Sequence, residues 1–285
     1  MAEMAVVEAS WYDYPQFYDL AFRSETRGEA DFIEAACRKY CRFRVRRLLE
    51  PACGTGRLVA ELAARRYEMT GFDLSRPALD YLRRRLDRRG LRATVFQADM
   101  AAGGIPSSSR ACSSATRDMA TKTWPCHPPV DAAYSTLDTF RHLLSEQAAR
   151  GHLECIARSL RPGGIYILGF HLLPPDASEE CTERWTERRG RTQVTVTLRV
   201  LATDRRRRIE TLRVNMLVRS GQKVLRLRHE FPLRMYTAGQ FRKLLRRVPS
   251  LELCDVYDSW YEIDQPLRLS DELSDTVFIL RKRLE

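Results

Sequence analysis

The segment Glu50-Pro-Ala-Cys53-Gly54-Thr55-Gly56 constrains this chain more than any other. It follows a short strand-like run, Val45–Glu50, and precedes Leu58, Val59, Leu62 and Ala63, which share one helix face. A strand that turns through glycines into a helix presents its backbone to a ligand, because glycine allows both a sharp turn and a close approach. Two familiar nucleotide loops are excluded by the spacing. A dinucleotide fold needs a further glycine at position 59, which is Val59 here. A phosphate loop needs Gly-Lys-Ser/Thr after its spacer, and that is absent too. Glycines preceded by an acid suit a ligand with no phosphate at that point, such as an amino-acid moiety bearing its own carboxylate and ammonium.

The flanking pattern predicts the sheet around this loop. Tyr67–Asp73 and Thr94–Asp99 read as strands, separated by a helix over Pro77–Arg89 with Leu79, Leu82 and Leu86 facing inward. Val130–Thr136 is a strand, Glu146–Leu160 a helix, and Arg161-Pro-Gly-Gly164 a tight turn into the strand Ile165–Phe170. Strands alternating with helices in this way predict a doubly wound, mostly parallel α/β sheet. A helix over Thr237–Arg247, with Thr237 as its N-cap, and strands over Leu251–Asp258 and Thr276–Arg283 complete a seven-stranded, Rossmann-like sheet. Between them the period changes. Val194, Val196, Leu198 and Val200 alternate with polar neighbours, as do Leu212, Val214, Met216 and Val218, and a further strand starts at Val224. Period two predicts antiparallel strands with one face covered. The expected organisation is therefore a ligand-binding domain over 1–175 and 236–285, with an antiparallel β unit inserted at 176–235. Residues 102–129, rich in Ser, Gly, Thr and Pro without apolar period, read as a long flexible loop. Trp11–Phe22 is rich in aromatics, and Phe32, Ile33, Ala36 and Tyr40 mark a helix after it.

Acids sit at successive predicted strand ends: Asp73 in Gly-Phe-Asp-Leu-Ser and Asp99 in Gln-Ala-Asp-Met. Ligands of open α/β sheets collect at these ends, and a carboxylate there can accept both hydroxyls of a ribose. With Glu-Pro-Ala-Cys-Gly-Thr-Gly and Leu-Arg-Pro-Gly-Gly, these motifs make the chain resemble the class I S-adenosylmethionine-dependent methyltransferases over about 45–101, 130–172 and 236–285. The resemblance implies a cofactor, S-adenosyl-L-methionine, and roles for particular residues. Gly54 and Gly56, with the backbone near Ala52 and Cys53, would face its methionine part, and Glu50 would orient this loop. Asp73 would hold the ribose hydroxyls, Leu74 would flank the adenine, and Asp99 would accept from the adenine amino group beside Met100. Ser135 would lie by the methyl-transfer pocket. The inserted antiparallel unit is similar to that of small-molecule N-methyltransferases, such as those acting on amino-sugar nucleotides. Their Tyr-Asp and His-Leu pairs match Tyr18-Asp19 and His142-Leu143. His142 is the candidate base, since its free pKa lies near neutrality. Tyr18 is the candidate for positioning substrate, and His171 a weaker one facing the same strand ends. Trp185 and Trp260 read as packing residues.

The expected reaction is methyl transfer to a small-molecule amine or hydroxyl. The alternatives are an RNA or protein methyltransferase using an Arg-rich surface, and a catalytically inactive cofactor-binding scaffold. The net charge of +11 bears on this choice, because 43 of the 48 basic residues are Arg. Clustered Arg attracts phosphates. Here the runs Arg42–Arg47, Arg83–Arg89 and Arg205–Arg208 are scattered and not interleaved with aromatics, so a nucleic-acid partner ranks below the solvated-surface reading. The inserted unit could serve as a lid or as the face of a homodimer. The eight Cys have no C-x-x-C spacing, so no metal is expected and the thiols are read as reduced. No stretch reaches the roughly 20 apolar residues of a membrane span, and no secretory leader is legible, so a cytoplasmic location is expected.

Overall fold

The computed structural model describes residues 6–101, 129–174 and 181–284. Two sheets organise them. The larger is built from β2 (Arg47–Pro51), β3 (Glu68–Asp73), β4 (Ala93–Gln97), β5 (Val130–Ser135), β6 (Leu160–His171), β11 (Leu251–Tyr257) and β12 (Asp275–Lys282). Its seven strands run in the order β11-β12-β6-β5-β2-β3-β4, parallel except at β12, which is antiparallel to both neighbours. This is the doubly wound, Rossmann-like sheet expected from the sequence. The order reverses between β2 and β5, and a crevice opens at such a switch point beyond the strands' C-terminal ends.

Helices cover both faces. α2 (Thr26–Tyr40) turns Ala30, Ile33, Ala36 and Cys37 inward, positions that share a face at helical period. α3 (Arg57–Ala64) follows the glycine turn, and α4 (Arg76–Arg88) starts from Ser75, whose hydroxyl accepts from the Ala78 N–H at 3.3 Å. α5 is Glu146–Ser159. In α6 (Ala238–Arg246), Thr237 and Gln240 form a reciprocal capping box. β5 is buried at every residue, including Asp131, which stays satisfied by accepting the Arg46 and Arg47 N–H groups at 2.8 and 2.9 Å.

The Arg161–Gly164 turn expected before β6 is instead a bulge within it. Val130 pairs with Leu160 and Ala132 with Ile165, so the extra residues loop out, with Gly163 at φ +76°. The 102–129 segment lies outside the described residues except Pro129.

The smaller sheet has five strands in the order β1-β10-β9-β8-β7: β1 (Val7–Glu8), β7 (Thr182–Arg189), β8 (Thr192–Asp204), β9 (Ile209–Ser220) and β10 (Lys223–Arg234). β9 buries alternate residues along its length, as the period predicts. β7 carries no such pattern in Thr-Glu-Arg-Trp-Thr-Glu-Arg-Arg and is not legible as a strand; its pairing with β8 defines it. The covered face is filled from the other end of the chain. β1 pairs in parallel with β10, and Trp11, Leu20 and Ala21 join Val194, Val196, Val214 and Met216 in one core. α1 (Pro15–Ala21) is fastened there by Trp185, whose indole N–H donates to the Ala21 carbonyl at 2.9 Å. Trp185 thus packs as expected, whereas Trp260 does not: it is 81% exposed. The six described cysteines are free thiols.

Candidate active site

A cavity of about 1030 Å³ lies between the two sheets, at the switch point. The loops after β2, β3 and β4 form one side, contributing Ala52, Gly54, Asp73, Leu74, Asp99 and Met100. The aromatic N-terminal segment and the inserted sheet form the other, with Tyr12, Tyr18, Trp185 and Phe231. His142 lies on the segment joining β5 to α5, in a short 3-10 turn, Thr139–His142.

The glycine loop is held open by local geometry. Ala52, Gly54 and Gly56 all have positive φ, at 51°, 51° and 65°. A Cβ on Gly54 would meet no atom within 4 Å, so that backbone is open to the cavity. At Gly56 a Cβ would come within 2.1 Å of the fully buried Leu82 side chain, so this glycine is dictated by packing. Asp73 binds the turn together, accepting from Gly54 N–H and Ser75 N–H, each at 2.7 Å. Burial raises its carboxyl above the ordinary range, opposed by these same N–H groups. An ionised carboxylate offers about four acceptor positions, so Asp73 keeps capacity for further donors from the cavity. Leu74 beside it is 63% exposed, an apolar surface facing a wet cavity. Gln97 also lines the wall and donates to the Leu74 carbonyl at 2.9 Å, fixing its backbone.

Four of the sequence candidates stand behind the wall and do not line it: Glu50, Cys53, Gly56 and Ser135. Glu50 is buried and accepts from the Tyr134 hydroxyl at 3.0 Å. Burial is the main reason its carboxyl is pushed up to about 8, against the pull of Arg57 and Tyr134. Cys53 is buried against Gly71, and its N–H donates to the Phe72 carbonyl at 2.9 Å. Ser135 is buried beside Tyr166 at the end of β5.

Tyr18 and Asp19 divide their work. Tyr18 lines the cavity, and burial holds its phenol well above the ordinary range. Asp19 turns away and is buried. It accepts from the Thr55 hydroxyl of the glycine loop at 3.2 Å and from the Tyr81 hydroxyl at 3.3 Å, and pairs with Arg85. A single carboxylate therefore anchors the aromatic segment to the glycine loop.

His142 is partly buried, and burial holds its imidazole below the ordinary range. Its Nε2 is 3.2 Å from the Tyr12 hydroxyl, and its ring stacks on Phe231 with centroids 5.5 Å apart. A neutral imidazole so placed can take a proton. His171 behaves oppositely. Its half-exposed ring pairs with Asp275 at 2.7 Å, and although burial works against the charge, Asp138 and Asp275 raise it to about 9. It is a structural cation and not a base at neutral pH.

Sequence reasoning missed Tyr12, Asp138, Arg141 and Glu210, all on the cavity wall. Arg141 is buried, donates from Nε to the Arg234 carbonyl at 3.0 Å, and pairs with Asp138 at 3.0 Å and with Glu210. It ties the segment after β5 to the inserted sheet. Burial opposes ionisation of Asp138, yet Arg141 and His171 together draw its carboxyl below the ordinary range. Asp138 itself sits at φ 43°, a backbone signal that an Asp in a turn tolerates. Nothing in the sequence pattern announces the Arg141–Glu210 partnership, which spans 69 positions.

Residues 48–119 match a family model described as a methyltransferase domain. The whole described architecture matches solved methyltransferases. The fold is that of solved S-adenosylmethionine-dependent methyltransferases. A methyltransferase from Clostridium acetobutylicum, described as S-adenosylmethionine-dependent, superposes with a TM-score of 0.73 at 16% identity, covering 96% of this chain and 99% of that one. The sugar N-methyltransferase KedS8 from Streptoalloteichus gives 0.69 at 17% identity, covering 100% and 97%. CalS10 from Micromonospora echinaspora, an amino pentose methyltransferase solved with S-adenosylmethionine bound, gives 0.63 at 18%, covering 98% and 100%. No match was found among curated protein sequences. Among the described residues, no group of three or more His, Cys, Asp and Glu is placed to hold a metal, and no helix is long and apolar enough to cross a membrane.

Proposed function

We propose that this protein transfers the methyl group of S-adenosylmethionine to the nitrogen of a small-molecule amine bound between the two sheets. One observation carries the reading: the glycine loop with Asp73 and the neutral imidazole of His142 line a single cavity. The names of KedS8 and CalS10, a sugar N-methyltransferase and an amino pentose methyltransferase, support it.

When bound, the cofactor supplies a sulfonium that makes its methyl carbon electrophilic. The residues fit such a group. Gly54 and the Ala52 backbone would face the methionine part, with Cys53, Gly56 and Glu50 shaping the loop from behind. Asp73 would accept the ribose hydroxyls, Leu74 would cover one adenine face, and Asp99 with Met100 would meet its amino group. Ser135 would brace the end of β5 next to the pocket, and Tyr18 would position the acceptor.

An amine attacks only through a free lone pair, so its proton must leave first. His142 takes that proton, and the Tyr12 hydroxyl bonded to Nε2 fixes the imidazole orientation. The freed lone pair would then face the methyl carbon that the bound cofactor would supply, with the glycine loop and Asp73 holding that group and His142 holding the proton. The protein's contribution is alignment and exclusion of water by the two covering sheets.

Calorimetry with S-adenosylmethionine tests the cofactor half. Asp73→Ala should weaken binding by about tenfold or more, the value of hydrogen bonds to a charged acceptor; unchanged affinity sinks the assignment. Release of S-adenosylhomocysteine with a panel of amines tests the other half. His142→Ala should lower kcat while leaving cofactor affinity unchanged.

A further inference from the structure

The charge of the cavity runs against that of the chain. Among the described residues, its wall carries seven carboxylates against three guanidiniums and the charged imidazole of His171, which pairs with Asp275, in a protein of net charge +11. Asp73 and Asp99 belong to the cofactor side. The other five, Asp13, Asp138, Glu183, Glu210 and Asp275, surround the remainder. Of the guanidiniums, Arg141 is buried and already committed to Asp138 and Glu210. Arg76 and Arg205 are exposed, at the cavity's rim. The helix start on this wall, at Ser75, is occupied by its own cap, since the Ser75 hydroxyl accepts the Ala78 N–H. The acceptor side also carries an apolar and aromatic stretch, formed by Trp11, Tyr18, Phe22, Trp185, Leu212 and Phe231.

Building on the methyltransferase reading, we infer that the acceptor is a cationic amine on an apolar ring body that carries no phosphate. The wall that selects it is formed by the N-terminal aromatic segment and the inserted sheet. A phosphate or diphosphate entering this space would lose water and meet carboxylates, while the buried guanidinium is already bonded to the Arg234 carbonyl, Asp138 and Glu210. A protonated amine gains from the same carboxylates, and aromatic faces attract it further through their quadrupoles. The bound cofactor adds a net positive charge of its own, which the excess of carboxylates also offsets. An apolar ring fills the rest by area burial, where a bare polyol would leave the aromatic wall without contacts.

The test uses the full chain, saturated with S-adenosylhomocysteine, and calorimetric titration of two matched probes. One is a free arylalkyl amine or the amine of an aryl-substituted sugar. The other is an amino sugar joined to a nucleoside diphosphate. The free amine should bind at least tenfold tighter than the diphosphate. Glu183→Gln together with Asp13→Asn removes two exposed carboxylates from the wall without touching the buried pair. This variant should bind the free amine about tenfold more weakly, the size of a screened charge interaction over several ångströms, and should narrow the gap to the diphosphate. Tighter binding of the diphosphate, or a variant that changes neither affinity, overturns the inference. The two readings fail separately. If S-adenosylmethionine binds and the diphosphate-linked amine is the one methylated, the acceptor class alone is wrong. If S-adenosylmethionine does not bind at all, the methyltransferase reading falls and this inference falls with it.

Discussion

The two glycines of the turn after β2 should fail in different ways when each is replaced by alanine. Both have positive φ, so each substitution costs about 1–2 kcal/mol for placing a Cβ in the left-handed region. At Gly54 that is the whole cost to folding, because the added Cβ meets nothing within 4 Å. At Gly56 the Cβ arrives 2.1 Å from Leu82 Cδ1 and 2.7 Å from Leu82 Cγ. Leu82 is 0% exposed and belongs to the same core as Leu58, Val59 and Leu79, so its side chain must shift within a packed cluster. Overpacking of this kind adds about 1–3 kcal/mol. Gly56→Ala should therefore unfold at lower urea with a loss of about 2–5 kcal/mol, against about 1–2 kcal/mol for Gly54→Ala. The order reverses for ligand. Gly54→Ala projects a methyl into the space assigned to the cofactor and should abolish calorimetric binding of S-adenosylmethionine while leaving the protein folded. Gly56→Ala, at temperatures where it stays folded, should bind with near wild-type affinity. Equal stability losses would show that Leu82 repacks freely. Full cofactor binding by Gly54→Ala would refute the placement of this loop against the ligand.

Other outcomes follow from single groups. Glu50 has its folded pKa raised to about 8 from an ordinary 4.5, so its stability contribution is full below pH 4.5 and is lost as pH rises through 8. Glu50→Gln should match wild type near pH 5 and exceed it near pH 9 in urea titrations. His142 has a depressed pKa, so the imidazole stays unprotonated through neutral pH. The pH–rate profile of the wild-type enzyme should keep its acid limb below the ordinary histidine range, and His142→Ala should remove that limb. Glu210→Ala leaves the buried Arg141 with Asp138 as its remaining carboxylate and should cost about 3 kcal/mol by thermal unfolding. Thr237→Ala breaks the capping box at α6 and should cost about 1 kcal/mol in the same assay.

Much of the site is legible in the sequence because its signals are local. Gly54, Asp73 and Asp99 each sit at the end of a strand whose apolar run precedes it within a few residues, so spacing alone brings them to one edge. The capping box at Thr237 and the period-two runs in β8 and β9 are local in the same sense. The residues that sequence patterns do not reveal depend on contacts far apart along the chain. Tyr12 meets His142 across 130 positions, and Arg141 meets Glu210 across 69. β7 is charged at most positions and has no strand signal of its own; it exists because β8 offers it an edge.

The sequence by itself determined the parallel sheet, the glycine turn and the acids along its C-terminal edge. Hydrophobic period and backbone freedom act over one or two turns of chain, and they leave few alternatives. Only the tertiary structure decided that the aromatic N-terminus covers the inserted sheet, that Glu50 and Ser135 stand behind the wall, and that an Arg-rich chain surrounds an acidic cavity. Those outcomes depend on burial, which no residue carries alone. Desolvation raises the Glu50 carboxyl and lowers the His142 imidazole, while Asp138 and Glu210 hold the Arg141 guanidinium, and each result is set by what the fold brings near.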